Sequence, residues 1–114
     1  MISHENNNLN LGGKIIAFPN KIVKTIELKD AILILMEEIS QYSKQIPSNL
    51  FLYNLTGDKI WEAELPKEMP YDTYVPEYYD SVTFENNEIM ACSFRWFCIL
   101  DIKTGKIKTL YPNK

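Results

Sequence analysis

Hydrophobic and polar residues alternate along most of this chain with the two-residue period of a β-strand. From Lys21 the alternation puts Ile22, Lys24, Ile26 and Leu28 on one face and Val23, Thr25 and Glu27 on the other. β-Branched residues dominate, which predicts a half-buried strand over 21–28. Asn49–Leu65, NLFLYNLTGDKIWEAEL, reads as two strands, 49–55 and 58–64, broken at Thr56-Gly57-Asp58. Further strands are predicted at 81–85, 88–94, 96–102 and 106–111. Asn86-Asn87 suits the first hairpin turn among these, because Asn tolerates the left-handed conformation. Lys14–Phe18 makes a short strand closed by Pro19-Asn20.

Residues 31–46, AILILMEEISQYSKQI, fit two templates. Asp30 could cap a helix carrying Ile32, Leu35, Ile39, Tyr42 and Ile46 at helical spacing. The six-residue apolar run Ala31–Met36 suits instead a strand covered on both faces. The preferred reading is a strand over 31–37 and a polar loop, with room for one short helix near 37–45; Pro47 ends either version. The fold class predicted is all-β: an antiparallel meander of eight or nine short strands in two halves, packed as a sandwich or partly open barrel. It occupies 14–114 as a single domain. Residues 1–13, with three consecutive Asn and Gly12-Gly13, read as a flexible leader.

The second half of the chain echoes the first. A shift of 47 residues lays Asn54-Leu55 on Asp101-Ile102 and Lys59-Ile60 on Lys106-Ile107, with a Gly-bearing turn inside each pair. Gly57 and Gly105 sit one place differently, so the turn types should differ. Asp101, Thr104-Gly105-Lys106 and Ile107, like Thr56-Gly57, Ile60 and Trp61, resemble the turn of quinoprotein-type β-propeller blades. The resemblance covers about two blades, 21–64 and 81–111. A propeller needs at least four to close, so a closed ring within this chain is excluded, and no cofactor site is implied. The arrangement is also similar to small bacterial proteins ending in D-x-x-T-G, some suspected of neutralising toxins.

Length and charge narrow the possibilities. The chain's 114 residues, 46% hydrophobic and 24% charged, are enough for one modest core. No apolar stretch resembles a signal peptide or approaches the ~20 residues of a membrane span, so the expected location is the cytoplasm. Cys92 and Cys98 fall on neighbouring predicted strands, where a disulfide is geometrically possible; reduced core thiols are expected. The net charge of −3 is uneven. Between residues 60 and 94 lie Glu62, Glu64, Glu68, Asp72, Glu77, Asp80, Glu85 and Glu88, against Lys67 alone. That excess argues against nucleic acid, which requires Lys and Arg, and suits a basic protein partner.

Catalysis finds little support. The single histidine, His4, falls in the predicted leader, so no Ser-His or Cys-His dyad forms on a rigid scaffold. No metal-ligand spacing and no phosphate loop occur, and no cofactor is expected. The remaining candidate is the loop 66–80, PKEMPYDTYVPEYYD. Its prolines exclude it from a sheet interior. Tyr71, Tyr74, Tyr78 and Tyr79 offer broad contact surface at low entropy cost, while Glu68, Asp72, Glu77 and Asp80 would steer a basic partner. The leading expectation is thus a non-enzymatic interaction protein, immunity-like or inhibitory, whose contacts include Glu62, Glu64, Glu85 and Glu88. Two alternatives stand beside it: a ligand pocket lined by Trp61, Arg95 and Trp96, and a subunit that completes a sheet by oligomerisation.

Overall fold

The computed structural model describes residues 2–37, 48–66 and 77–112. Among these, eleven strands and no helix form three antiparallel sheets. The first sheet is β1 (Ile2–Glu5), β2 (Asn8–Leu11) and β3 (Ile15–Ala17). The second has the order β4 (Ile22–Glu27), β5 (Ala31–Met36), β6 (Leu50–Asn54) and β7 (Lys59–Glu62). The third runs β8 (Ser81–Glu85), β9 (Glu88–Cys92), β10 (Trp96–Leu100) and β11 (Ile107–Pro112). All nine predicted strands are present, as β3 to β11, but the count and the layering differ from the expectation.

The extra strands come from the expected leader, which from Ile2 onward is a hairpin. Its turn repeats the Glu-Asn-Asn sequence of the β8–β9 turn: Glu5-Asn6-Asn7 corresponds to Glu85-Asn86-Asn87, with φ of 55° at Asn6 against 52° at Asn86, although only the later turn keeps positive φ at its second Asn (Asn87, 62°). Two residues past each Asn pair comes a fully buried aliphatic, Leu9 and Ile89. The hairpin is fastened to the chain beyond it. Asn6 C=O accepts from Ile22 N–H (2.7 Å), and Asn7 binds Phe18 through both backbone and side chain. Leu9, Phe18, Ile22, Ile32, Ile34, Met36 and Phe51 then form a core between the first and second sheets, where Phe18 meets the edge of Tyr53 at 5.3 Å.

β5 explains the layering. All six of its residues are buried. Ile32, Ile34 and Met36 face the first sheet, while Ala31, Leu33 and Leu35 face the third. The strand reading of 31–36 therefore holds, and it is covered on both sides; the short helix envisaged near 37–45 falls almost wholly outside the described residues. One face assignment needs correction. A bulge at Val23 shifts the β4–β5 register between Ile22 and Lys24, so Ile22 joins the first core whereas Ile26 and Leu28 pack against the other. An extra residue reverses the phase of an alternating pattern, and strict alternation cannot reveal it.

The second and third sheets stack over the larger core, with β4 beside β8 and β7 beside β11. On the first side Lys24 Nζ donates to Val82 C=O (2.9 Å), capping the open edge of β8. On the other, Trp61 Nε1–H donates to Ile102 C=O (2.9 Å) and Glu64 N–H to Gly105 C=O (2.9 Å). The Glu64 carboxylate also accepts Ile107 N–H (2.9 Å). Both echoed turns rest on an Asx side chain. Asn54 Oδ1 accepts the Thr56 and Asp58 amides, and Asp101 Oδ1 accepts that of Lys103. The second turn is one residue longer, closing from Asp101 to Lys106 where the first closes from Asn54 to Asp58. That length difference accounts for the displaced glycine.

Candidate functional site

Pro66 and Glu77 bracket the acidic, tyrosine-bearing stretch, and a hydrogen bond from Glu77 N–H to Pro66 C=O (3.1 Å) joins its two ends. Of the residues expected to carry contacts, Glu68, Tyr71, Asp72 and Tyr74 lie outside the described residues. Of the others, Glu64, Glu77, Tyr78, Tyr79 and Asp80 flank the stretch, and most of these have structural work. Tyr79 is fully buried; its hydroxyl donates to Glu64 C=O at 2.6 Å. Tyr78 is also buried within the larger core. Neither ring presents the contact surface expected of it, because the inter-sheet core has space at this end for both.

Asn49, a polar residue at 0% exposure, holds this base. Its side-chain amide donates to Tyr79 C=O (2.7 Å) and Met36 C=O (3.0 Å), and its Oδ1 accepts Tyr79 N–H (3.0 Å). One side chain thus pins the strand ends of β5 and β6 to the segment entering β8. Among the described residues no buried side-chain polar atom lacks a partner.

Glu77 makes the second clamp. Its carboxylate accepts Ser93 Oγ–H (2.6 Å), Arg95 N–H (2.9 Å) and Arg95 Nε–H. Burial raises the Glu77 carboxyl, but the hydrogen bonds from Ser93 and Arg95 and the guanidinium charge outweigh it, so the group is held below its ordinary value. A carboxyl depressed in the fold stabilises fully above its unfolded pKa, and that contribution is lost as pH falls through the folded value. We expect Glu77→Gln to cost about 1–2 kcal/mol at neutral pH. Urea melts at pH 7 and at about pH 2.5 check the sign, since the variant and the parent should converge in acid.

The other acids do not share one surface. Glu62 pairs with Lys59 (2.6 Å) on β7, and Glu64 is committed to the β11 junction. Asp80 is exposed at the start of β8, whereas Glu85 and Glu88 lie at the far end of that hairpin. Nor do Trp61, Arg95 and Trp96 line one pocket. Trp61 packs on Gly105 beside the β10–β11 turn, while Arg95 and Trp96 lie at the opposite end of β10. An open depression of about 450 Å³ lies instead over the first sheet, lined by residues including Ser3, His4, Glu5, Asn8 and Asn10. Ser3 and His4 are strand neighbours and project to opposite faces.

Cys98 faces the core and Cys92 the outer side of the third sheet, since Cys98 is paired with Ala91 and Cys92 with Phe97. Both thiols are free. Side chains on opposite faces cannot be bridged, which removes the disulfide that spacing had allowed. Burial above all, with the nearby Cys92 and carboxylates, pushes the Cys98 thiol up to about 11 despite a hydrogen bond with Tyr79. It is a packing residue.

Residues 1–111 match the family described as "Domain of unknown function (DUF7957)", and the chain belongs to that family. No curated protein and no solved structure matches it.

Proposed function

We propose that the chain is a non-enzymatic interaction protein, immunity-like or inhibitory, that engages a basic partner protein through the acidic, tyrosine-bearing stretch between Pro66 and Asp80. The observation that carries this reading is the doubly clamped base. The ends of the stretch are joined at Pro66 and Glu77, with Asn49–Tyr79 on one side and Glu77–Ser93–Arg95 on the other. Excursions whose ends meet on a rigid base are frequently functional. By sequence this one carries Glu68, Tyr71, Asp72 and Tyr74 within ten residues, with exposed Asp80 beside its root.

Glu77, Tyr78 and Tyr79 act here as scaffold, so contact falls to the remaining acids and tyrosines. The blade-like reading of β4–β7 and β8–β11 belongs to this proposal as well; the matched strand order and the paired Asx turns favour it.

The test replaces Tyr74 with a photo-crosslinking residue and identifies the captured protein in native cells. The expected capture is a basic protein. Its yield should fall at least tenfold in an Asp72→Lys/Asp80→Lys background and fall with rising salt. Undiminished capture after charge reversal would overturn the reading.

A further inference from the structure

The three sheets stack as layers, and the two outer faces of the stack differ. On the first sheet the register aligns Ser3, Glu5, Asn8 and Asn10 on the outward face. Ala17 and Ile15, the latter 64% exposed, share these rows on the edge strand β3, so that face is mainly polar with one apolar edge. On the third sheet, two outward rows cross the strands. One is Tyr111, Phe97, Cys92 and Ser81; the other is Thr109, Ile99, Met90 and Thr83. The middle of this face is therefore Phe97, Ile99, Met90 and Cys92, each partly exposed. Tyr111 is 49% exposed and rests against the Phe97 ring at 6.1 Å. Phe94, in the turn at that same end, is 81% exposed. The corresponding outward face of the second sheet carries Ile32, Ile34, Phe51 and Tyr53, and there the first sheet covers it. Among the described residues, the stack thus ends in a mainly polar layer on one side and in an apolar, uncovered face on the other.

Charge identifies the cover. Glu85 and Glu88 are direct cross-strand partners on this same outward face, and like charges so placed repel. Among the described residues neither forms an ion pair. At the same end of the sheet but on the opposite edge, Lys103, Lys106 and Lys108 are exposed around Asp101, whose carboxylate is already engaged in its turn. Consider a two-fold axis between two facing copies, parallel to the strands. It lays β8 of one copy across β11 of the other and keeps the turn ends together. The acidic corner of each copy then meets the basic corner of its partner, twice. A head-to-tail stack would instead press this apolar face on the polar face of the first sheet.

We propose that the outer face of the third sheet is the interface of a symmetric homodimer, with Met90, Phe97 and Ile99 at its centre and Glu85 and Glu88 facing Lys106 and Lys108 of the other copy. Four strands of five or six residues offer a face of roughly 16 Å by 19 Å. Over two copies that is roughly 600 Å², below the ~1,200 Å² of stable specific interfaces, so the dimer is weak and concentration-dependent.

Sedimentation velocity with the full chain, from about 10 µM to about 1 mM, should show the 13.3 kDa monomer giving way to twice that mass. Ile99→Glu should abolish the shift. Glu85→Lys/Glu88→Lys and Lys106→Glu/Lys108→Glu should each weaken association at least tenfold, because each makes all four corners alike. An equimolar mixture of those two variants should recover it, since both charge contacts are then restored in the heterodimer. The charge variants alter exposed positions only, so they decide the question even if Ile99→Glu fails to fold. A wild-type monomer at every concentration overturns the proposal, as does a mixture that stays monomeric while the wild type dimerises.

Discussion

Replacing Asn49 with leucine should destabilise the protein by about 3–5 kcal/mol, although leucine is close to asparagine in size. The change strands Tyr79 N–H and the carbonyls of Met36 and Tyr79 at a site with no exposure. Each buried polar group left unpaired costs on the order of 1–3 kcal/mol, and partial relaxation reduces the sum. Urea titration gives the loss directly; a change below about 1 kcal/mol would show that the amide is not the clamp. Asn49→Asp adds a sign. Its carboxylate keeps the bond from Tyr79 N–H but opposes two carbonyl oxygens, so its folded pKa should be raised. Such a variant should gain stability on acidification, opposite to the direction set by Glu77.

Gly105→Ala should cost about 2–4 kcal/mol. At φ +75° the backbone there is left-handed, which costs an L-residue about 1 kcal/mol or more. A Cβ would also lie 2.5 Å from Cε3 and 2.6 Å from Cδ2 of Trp61. The indole cannot swing away without giving up its bond to Ile102, so overpacking adds about 1–3 kcal/mol. Gly57→Ala is the internal control. The atoms nearest its Cβ would be the exposed tip of Lys14, at 2.9 Å, which can move at the loss of one exposed bond to Thr56 C=O, leaving mainly the backbone penalty of about 1–2 kcal/mol. Thermal melts rank the two. Trp61 emission should move in Gly105→Ala and stay put in Gly57→Ala.

These two sites mark how far the sequence could be read. The strands from Ile15 onward follow from alternation and turn chemistry, and the 47-residue echo anticipated two Asx-based turns of different type, though not their different lengths. The N-terminal hairpin escaped because a strand such as NLNL buries a single residue fully, Leu9, and one apolar position sets no period. Yet its Glu-Asn-Asn turn is the one recognised at 85–87, so the signal was present in the turn rather than in the strands. In the candidate site, Tyr78 and Tyr79 carry the same residue type as Tyr71 and Tyr74. Nothing in composition separates a tyrosine that seals a core from one that faces a partner; only the packing of two sheets decides it. Asn49 was equally hidden, because its role depends on a strand entered thirty residues later.

β5 presents a problem of addressing. A strand with one wet face reports a one-residue slip at once, since its apolar side chains would turn to water. AILILM has no wet face. Slipped by one residue, it would still present aliphatic groups to both cores, so its own composition says almost nothing about where it should stop. That information is supplied from outside the strand. Met36 N–H and C=O are both read by Asn49, and the bulge at Val23 fits only one phase of β5. The least polar strand of the protein is therefore positioned by one buried amide and one surplus valine in its neighbours.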